Sequence, residues 1–336
     1  MMGAAMATSQ DFVNWVCSDA IDNRYLKYVL LAERDSMVRF ASGTTHQTIY
    51  FPEAKAFHVC LPPLAEQHDI ADVLGCLDQK IELNRRMNET LEDIARAIFK
   101  SWFVNFDPVR AKAEGRKPGG MSADIAALFP NNMKDGIPSG WRTGTLGEVA
   151  ENSRSQVKPG QAVADTPYIG LEHMPRNCIA LSEWGRADEV VSNKFAFSKG
   201  DILFGKLRPY FHKVGVAAVE GVCSTDVLVI KAKRSDWFAF VVGHVSSEEL
   251  IGYTDGASTG TKMPRTNWND IARYELVLPA AEIALAFTDL VSPMIEKIHT
   301  NIHESRALAK MRDNLLPKLL SGEVRLELQN IAAHAV

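Results

Sequence analysis

The chain has 336 residues, of which 46% are apolar and 23% are charged, so two or three domains with buried cores can form. The formal net charge of −4 argues against a protein that coats nucleic acid through charge alone. The five cysteines lack metal-ligand spacing, and no stretch resembles a secretion signal or a membrane span. We therefore expect a reduced, cytoplasmic protein.

Six segments follow from the pattern. They are residues 1–62, a first long helix at 63–106, a connection at 107–140, a complete globular domain at 141–280, a second long helix at 281–322 and a tail at 323–336. The first segment ends in an apolar stretch, Phe57–Leu61, which we predict to be a strand. These elements predict the α+β class, with a mixed α/β domain and two long antiparallel, coiled-coil-like helices.

Both long helices carry residues in alternating steps of four and three. The first series is Ile70, Leu74, Leu77, Ile81, Asn84, Asn88, Leu91, Ala95, Ile98 and Trp102, and the second is Phe287, Val291, Met294, Ile298, Asn301, Ser305, Leu308, Arg312, Leu315 and Leu319. Such spacing places each series on one stripe, and the simplest partner for each stripe is the other helix. The pattern fits either a core hairpin or a spacer of fixed length.

Polar residues interrupt both stripes near their middle, and such residues fix register at a cost in stability. Two prolines lie in the second helix: we expect Pro293 to weaken it near its start and Pro317 to kink or end it.

The connection between the helices begins with Pro and Gly among charged residues, which predicts an exposed linker at 107–120. In the globular domain the predicted strands are Tyr168–Leu171, Asp201–Phe204, Val214–Val219 and Val227–Lys231, and the predicted helices are Trp237–Ser246 and Glu248–Tyr253.

An internal repeat links the two halves of the chain. The segment from Ala41 to Leu61-Pro62 resembles the segment from Ala257 to Leu278-Pro279. Each consists of a loop and an apolar strand, and a helix follows each. The alternative is two unrelated strand-then-helix units. The match runs through loop, strand and helix in the same order, which favours a repeat whose first copy lacks a counterpart of residues 141–235.

One segment of the globular domain combines basic and aromatic residues in the way that nucleic-acid contacts require. Between Lys199 and Lys213 the candidates for DNA contact are Lys206, Arg208, Tyr210 and Lys213. Basic groups neutralise phosphates, and arginine can bind a guanine edge through two hydrogen bonds. The alternative is a strand with a solvated basic edge.

A second candidate is the loop from Gly256 to Asn267, where small residues leave backbone N–H groups free for phosphate oxygens. Its candidate contacts are Thr259, Thr261, Lys262, Arg265 and Asn267. Asn267 could instead cap the turn that begins at Trp268. Arg154, in an earlier loop, is a further candidate.

Several runs resemble the specificity subunits of type I restriction-modification systems. The central run comprises Leu61-Pro62-Pro63-Leu64-Ala65-Glu66-Gln67, Leu77–Asn84, Thr90-Leu91-Glu92 and Phe99–Val109. Further similar segments are Gly140-Trp141 with Leu146-Gly147-Glu148, then Lys199–Leu203, and Leu315–Glu323. The resemblance covers nearly the whole chain beyond residue 10.

The resemblance implies that two target recognition domains, each reading half of a split double-stranded DNA site, are held apart by two conserved antiparallel helices. Those helices would dock the modification subunits, and a separate restriction subunit would cleave and translocate DNA. It also implies that this chain binds no cofactor, because S-adenosylmethionine, ATP and Mg²⁺ belong to the partners. The residues expected to form the helix pair and partner interface are Leu77, Ile81, Asn84, Asn88, Leu91, Ile98, Trp102, Ile298, Asn301, Leu308, Leu315 and Leu319.

The chain departs from that pattern because only the tail of a first recognition domain is recognisable. Three interpretations stay open: a shortened but working specificity subunit, a non-functional remnant, and a half-subunit that pairs with a second copy.

Two other classes of protein fit less well. A DNA methyltransferase should carry an Asn-Pro-Pro-aromatic or Asp-Pro-Pro-aromatic run, and an ATPase a phosphate-binding loop; the sequence contains neither. Glu53-Ala54-Lys55 matches part of a nuclease motif, but its repeat counterpart, Asp270-Ile271-Ala272, lacks the lysine. A purely structural coiled coil accounts for the helices but not for the mixed domain.

Overall fold

The computed structural model describes residues 13–40, 48–158, 163, 165–187, 192–256 and 264–326. The chain forms two compact units: unit 1 comprises Met1–Leu83 with Glu304–Val336, and unit 2 comprises Asn84–His303. The helices are α1 Asn23–Ala32, α2 Arg34–Phe40, α3 Phe51–Lys55, α4 Leu64–Phe99, α5 Asp107–Ala113, α6 Ala123–Leu128, α7 Leu146–Val149, α8 Phe238–Val245, α9 Glu248–Gly256, α10 Trp268–Ala272 and α11 Ala281–Leu320.

Within the described residues, the strands lie in unit 2. They are β1 Met133–Lys134, β2 Ile137–Pro138, β3 Arg142–Thr145, β4 Ala150–Ser153, β5 Gln156–Val157, β6 Pro167–Ile169, β7 Gly185–Arg186, β8 Lys194–Phe197, β9 Ile202–Gly205, β10 Val214–Val216, β11 Gly221–Cys223, β12 Val227–Ala232 and β13 Glu275–Leu278. One sheet has the order β10-β9-β12-β4, another β5-β8-β11-β6-β7, and β13 pairs with β3. The α+β class predicted from the sequence is confirmed.

Unit 1 is built on α1 and the portions of α4 and α11 that belong to it. Asp22 caps α1, since its carboxylate accepts hydrogen bonds from the N–H groups of Arg24 (2.6 Å) and Tyr25 (3.1 Å). The core of the unit includes Tyr25, Tyr28 and Leu74 with Leu316 and Leu319 of α11. Burial of these large apolar groups is the main stabilising contribution in this unit.

A charged network surrounds Arg312, the basic residue of the second stripe. The Asp78 carboxylate accepts hydrogen bonds from Arg312 Nη1 and the Tyr28 hydroxyl, both at 2.8 Å, and from Lys27. Burial opposes ionisation of Asp78, but these donors outweigh it and lower the pKa. The charge of Arg312 on this helix is therefore balanced by the Asp78 carboxylate.

The β9–β12 pair separates the two largest apolar clusters of unit 2 among the described residues. Ile202 and Phe204 of β9 pack in the larger core, whereas Leu203 packs in the smaller one with Val227 and Val229 of β12. Successive strand residues point to opposite faces, so a continuous apolar run is required where both faces are covered.

Aromatic residues at the end of α4 join the helix pair to the larger core. After α4, residues Lys100–Val104 form a π-helical turn. The Phe103 ring lies 4.9 Å from Phe240 of α8 and 5.1 Å from Phe287 of α11, between ring centroids. A Cβ atom at Gly243 would lie 2.2 Å from the Phe99 ring, so this close approach of α8 to α4 requires glycine.

The predicted helix-pair residues are all at least partly buried. The buried ones are Asn84, Asn88, Trp102, Ile298, Asn301 and Leu319, and the half-buried ones are Leu77, Ile81, Leu91, Ile98, Leu308 and Leu315. In unit 2, Asn301 Nδ2 donates a 2.8 Å hydrogen bond to Asn88 Oδ1. The polar interruption of one stripe thus meets that of the other.

The prediction of an exposed linker at 107–120 is wrong, because α5 buries Pro108, Val109 and Ala111. The second long helix does not end at Pro317, because α11 continues through Pro293 and Pro317 to Leu320. Each proline leaves the carbonyl four residues earlier without a helical donor, but Asp289 and Asp313 are exposed, so water can reach those carbonyls.

The predicted strand Phe57–Leu61 is also wrong, since these residues adopt no regular structure. Its repeat counterpart, β13, is a strand because it pairs with β3, Leu278 lying opposite Arg142. β3 belongs to the part of the domain that has no copy in residues 1–62. Without a pairing strand, the backbone of an apolar segment cannot form a ladder.

The Asn88–Asn301 pair gives a first prediction. Asn88→Ala should lower the free energy of unfolding by about 1–3 kcal/mol, because it leaves the buried Asn301 amide without this acceptor. Replacing both residues by Leu should cost less than the single change. Urea denaturation measures both, with the exposed Asn314→Ala as control. Equal stabilities of the Asn88 and Asn314 variants would contradict the importance of the pair.

A buried histidine gives a second prediction. His244 lies among rings, 4.8 Å from Phe99 and 4.5 Å from Phe240, and burial lowers its pKa to about 3. The unfolded chain takes up this proton near pH 6.5, so stability should fall as pH drops from there toward 3, by about 1.4 kcal/mol per pH unit from this group. His244→Phe should flatten that dependence in urea denaturation, and the exposed His58→Phe should leave it unchanged.

Candidate nucleic-acid interface

The loop 206–213, between β9 and β10, is fixed by its backbone. Gly205 N–H donates to Lys213 O (2.9 Å), Lys206 N–H to Asp226 O (2.8 Å) and Arg208 N–H to Pro264 O (2.8 Å), and Lys206 O accepts from Thr266 N–H (3.1 Å). These bonds tie the loop to two neighbouring segments.

Two loop residues adopt a backbone conformation that side chains disfavour. Arg208 and His212 have φ values of 50° and 49° and flank the short 3₁₀ helix Pro209–Phe211. Non-glycine residues adopt this region only where the surroundings hold them, and strain of this kind concentrates at functional sites. The His212 ring lies 3.0 Å from the Ser246 carbonyl, between Nε2 and O.

Basic groups gather around Asp226 at the base of the loop. Arg265 Nη2 lies 3.3 Å from Asp226 Oδ1. Burial lowers the pKa of Lys206; Asp226 opposes that shift, while Arg265 and Arg154 add to it. Four charged groups far apart in sequence therefore share one region, with an excess of positive charge.

Aromatic and guanidinium groups lie further along the same loop. The Tyr210 side chain is 48% exposed, and its ring centroid is 4.8 Å from that of Phe211. Arg176 Cζ lies 4.0 Å from the Phe211 centroid, and Arg208 Cζ lies 5.8 Å from it. Sequence reasoning missed Arg176 and Phe211 as a pair, because 34 intervening residues separate them and no local pattern marks their contact.

Lys213 and Lys199 make other contacts. Lys213 Nζ donates to the Leu171 carbonyl, and burial lowers its pKa, with Arg176 acting in the same direction. Lys199 Nζ lies 2.8 Å from Glu296 Oε2 on α11. The loop thus brings together Lys206, Arg208 and Tyr210, while Lys213 is held by a backbone carbonyl.

Asn267 caps α10. Its Oδ1 accepts hydrogen bonds from the N–H groups of Asn269 (2.8 Å) and Asp270 (3.2 Å), and Nδ2 donates to the Asp270 carboxylate. Both ends of the amide are therefore engaged within the chain. The other candidates of that segment, Thr259, Thr261 and Lys262, lie outside the described residues.

A cleft of about 300 Å³ lies beside the loop in unit 2. Its apolar floor includes Phe99, Val242 and Phe287. The charged and polar residues of its lining are Glu92, Arg96, Lys100, Asn177, His212, Ser246, Ser247, Glu248 and Glu249. It is therefore a groove with an apolar base and mixed charge around it.

Glu92 of α4 makes the main polar contact between that helix and the sheets. The residue is 6% exposed, and its carboxylate accepts hydrogen bonds from the N–H groups of Ile179 (3.0 Å) and Ala180 (3.1 Å) and from Cys178 Sγ (3.3 Å). Burial raises its pKa, and the three donors oppose that rise. Burial and the neighbouring carboxylate raise the pKa of the Cys178 thiol to about 12.

The chain is similar in sequence to several known proteins. The family described as "Type I restriction modification DNA specificity domain" matches residues 2–93. The MjaIX specificity subunit of Methanocaldococcus jannaschii is 26% identical, over 96% of this chain and 74% of that protein. The HindI specificity subunit of Haemophilus influenzae is 28% identical, over 84% of this chain and 72% of that protein.

Residues 2–93 thus match a type I specificity domain, and over most of its length the chain is similar to type I specificity subunits. Its fold is similar to that of the S subunit from M. genitalium, with a TM-score of 0.50 at 16% identity, over 89% of this chain and 73% of that one. Both relatives are named as specificity subunits of type I restriction enzymes.

Among the described residues, no group of three or more His, Cys, Asp or Glu side chains is arranged to hold a metal ion. Across the same ranges, none of the helices is both long enough and apolar enough to span a membrane.

The role of Asn267 gives a third prediction. Asn267→Ala should lower the free energy of unfolding by about 0.5–2 kcal/mol, because the first turn of α10 loses its cap. Asn267→Ser should retain most of that stability, since serine caps helices nearly as well as asparagine. Thermal or urea denaturation of the two variants makes the comparison, and an equal loss in both would show that capping is not the role of this side chain.

Proposed function

We propose that the chain reads DNA sequence through the loop 206–213 and the basic groups around it, as one recognition domain of a type I complex. The supporting observation is the concentration of Lys206, Arg208, Arg265 and Arg154 with exposed Tyr210 on a backbone that is already fixed. A prearranged loop pays less conformational entropy on binding than a mobile one.

Contacts of two kinds are expected at this surface. Basic groups such as Lys206 neutralise phosphates, and this contribution weakens as salt rises. Base edges in the major groove are read by hydrogen bonds, for which arginine is the commonest donor. Asp226 at the centre of the cluster would hold Arg265 in place and repel a misplaced phosphate.

The two long helices, in this proposal, dock the modification subunits. Apolar side chains exposed on them include Leu83 and Ile94 on α4 and Leu285 and Met311 on α11. Exposed apolar groups on a helix favour a partner surface. S-adenosylmethionine, ATP and Mg²⁺ are assigned to the modification and restriction subunits, and the assembly to the cytoplasm.

The molar mass of the complex tests the docking. We expect the chain to co-purify with its modification subunit, and light scattering of that complex gives the number of copies of each. Two copies of this chain would identify it as a half-subunit that supplies one recognition domain to a bipartite site. A well-folded chain that does not bind the modification subunit would refute the docking proposal.

Charge reversal in the loop gives a fourth prediction. Lys206→Glu with Arg208→Glu should lower the affinity of the assembled complex for duplex DNA at least about tenfold and reduce the slope of log affinity against log salt by about one to two. The affinity falls because the two reversed side chains no longer neutralise DNA phosphates. Fluorescence anisotropy with a labelled duplex at several salt concentrations provides the measurement.

The control makes the same change of charge elsewhere. Lys117→Glu with Lys134→Glu reverses two exposed lysines outside the loop and its contacts. If both double variants lose affinity equally, the effect is one of total charge, and the loop is not the interface.

A further inference from the structure

The guanidinium group of Arg176 lies over the ring of Phe211. Its guanidinium carbon lies 4.0 Å from the centroid of the Phe211 ring, within stacking distance. Stacking restricts a guanidinium to one plane, whereas an unstacked arginine samples many rotamers. The side chain nevertheless remains exposed, so its hydrogen-bond donors can reach a ligand.

The backbone that carries Arg176 is fixed on both sides. Asn177 N–H donates to the His212 carbonyl (3.0 Å), and Val216 N–H donates to the Ile179 carbonyl (2.9 Å), so this segment is bound to the β9–β10 hairpin. On the other side of the segment, the Glu92 carboxylate accepts hydrogen bonds from the N–H groups of Ile179 and Ala180. The position of Arg176 is thereby set relative to α4 as well as to the loop.

The positive charge of Arg176 is not neutralised within the described residues. Arg265, by contrast, forms an ion pair with Asp226. No carboxylate of the described ranges lies within ion-pair distance of Arg176 or of Arg208, which shares the Phe211 ring. Arg176 also helps to lower the pKa of Lys213, so its surroundings are already positive. An acceptor supplied by a ligand would relieve this repulsion.

We infer that Arg176 is a specificity-determining residue that reads a guanine in the DNA site, with Phe211 and Glu92 as the residues that position it. This inference rests on the proposed DNA-recognition function. Guanine presents two acceptors, N7 and O6, side by side in the major groove, and a planar guanidinium donates to both. A phosphate contact requires charge but no fixed plane, so the stacking favours a base edge over the backbone.

The experiment uses the whole complex of this chain with its modification subunit. The sequence methylated in cells that carry the complex is determined by sequencing their DNA, and it supplies the reference duplex. Binding is then measured for that duplex and for a set in which each base pair is changed singly. The proteins compared are wild type, Arg176→Ala, Arg176→Lys, Phe211→Leu, Glu92→Gln and an exposed control, Arg116→Ala.

We expect both Arg176 variants to lose discrimination at one G·C pair, by about 10- to 100-fold, and to retain it at the other positions. Phe211→Leu leaves the charge of Arg176 in place but removes the ring beneath it, so this variant should lose part of the discrimination at the same pair. Glu92→Gln loses one acceptor, which should produce a smaller loss there. Thermal denaturation shows whether each variant is folded before it is compared.

Two results would overturn the inference. Equal weakening of every duplex, with a salt slope reduced by about one, would make Arg176 a phosphate contact. Discrimination identical to that of wild type and of Arg116→Ala would remove it from the interface. Failure of the proposed function is distinguishable, because the wild-type complex itself would then bind all the duplexes alike.

Discussion

The aromatic contact at the C-terminal end of α4 is the constraint on which the geometry of unit 2 depends. Phe99 and Phe103 pack at once against α8 of the globular domain and against Phe287 of α11. Each buried aromatic ring removes a large apolar area from water, and rings in tilted or edge contact add specific geometry. A domain attached through several interlocked rings cannot rotate about the helix without opening its own core.

Buried polar groups fix the register and alignment of the elements that the apolar contacts hold together. The Asn88–Asn301 hydrogen bond pairs the helices at one register, and Glu92 aligns the segment 178–180 against α4. A buried polar group without its partner costs more than an apolar contact gains, so shifted arrangements are penalised. Apolar packing thus supplies most of the stabilisation, and these few polar contacts select among the packings that would otherwise be similar.

The sequence predicts the parts of the structure that depend on local periodicity. Both long helices, the β9 and β12 strands and the polar positions of the helix stripes follow from residue spacing alone. Phe57–Leu61 shows the limit, because whether an apolar run becomes a strand depends on a partner strand elsewhere in the chain. The Arg176–Phe211 contact was beyond prediction for the same reason: it arises from the pairing of distant segments. Pro293 and Pro317 show that helix-breaking residues are tolerated where water reaches the freed carbonyls.

The loop 206–213 separates the groups that hold it from those that face outward. Backbone N–H and carbonyl groups form its anchors to Asp226, Pro264 and Thr266, and these groups are common to every residue type. Arg208 and Tyr210 contribute side chains that the anchors do not use. Under the proposed function, substitution at such positions would change the surface offered to a base pair while the backbone hydrogen bonds persist. A recognition domain built in this way could acquire a new target sequence without a new fold, because the interactions that fix the loop and those that would read a ligand belong to different atoms.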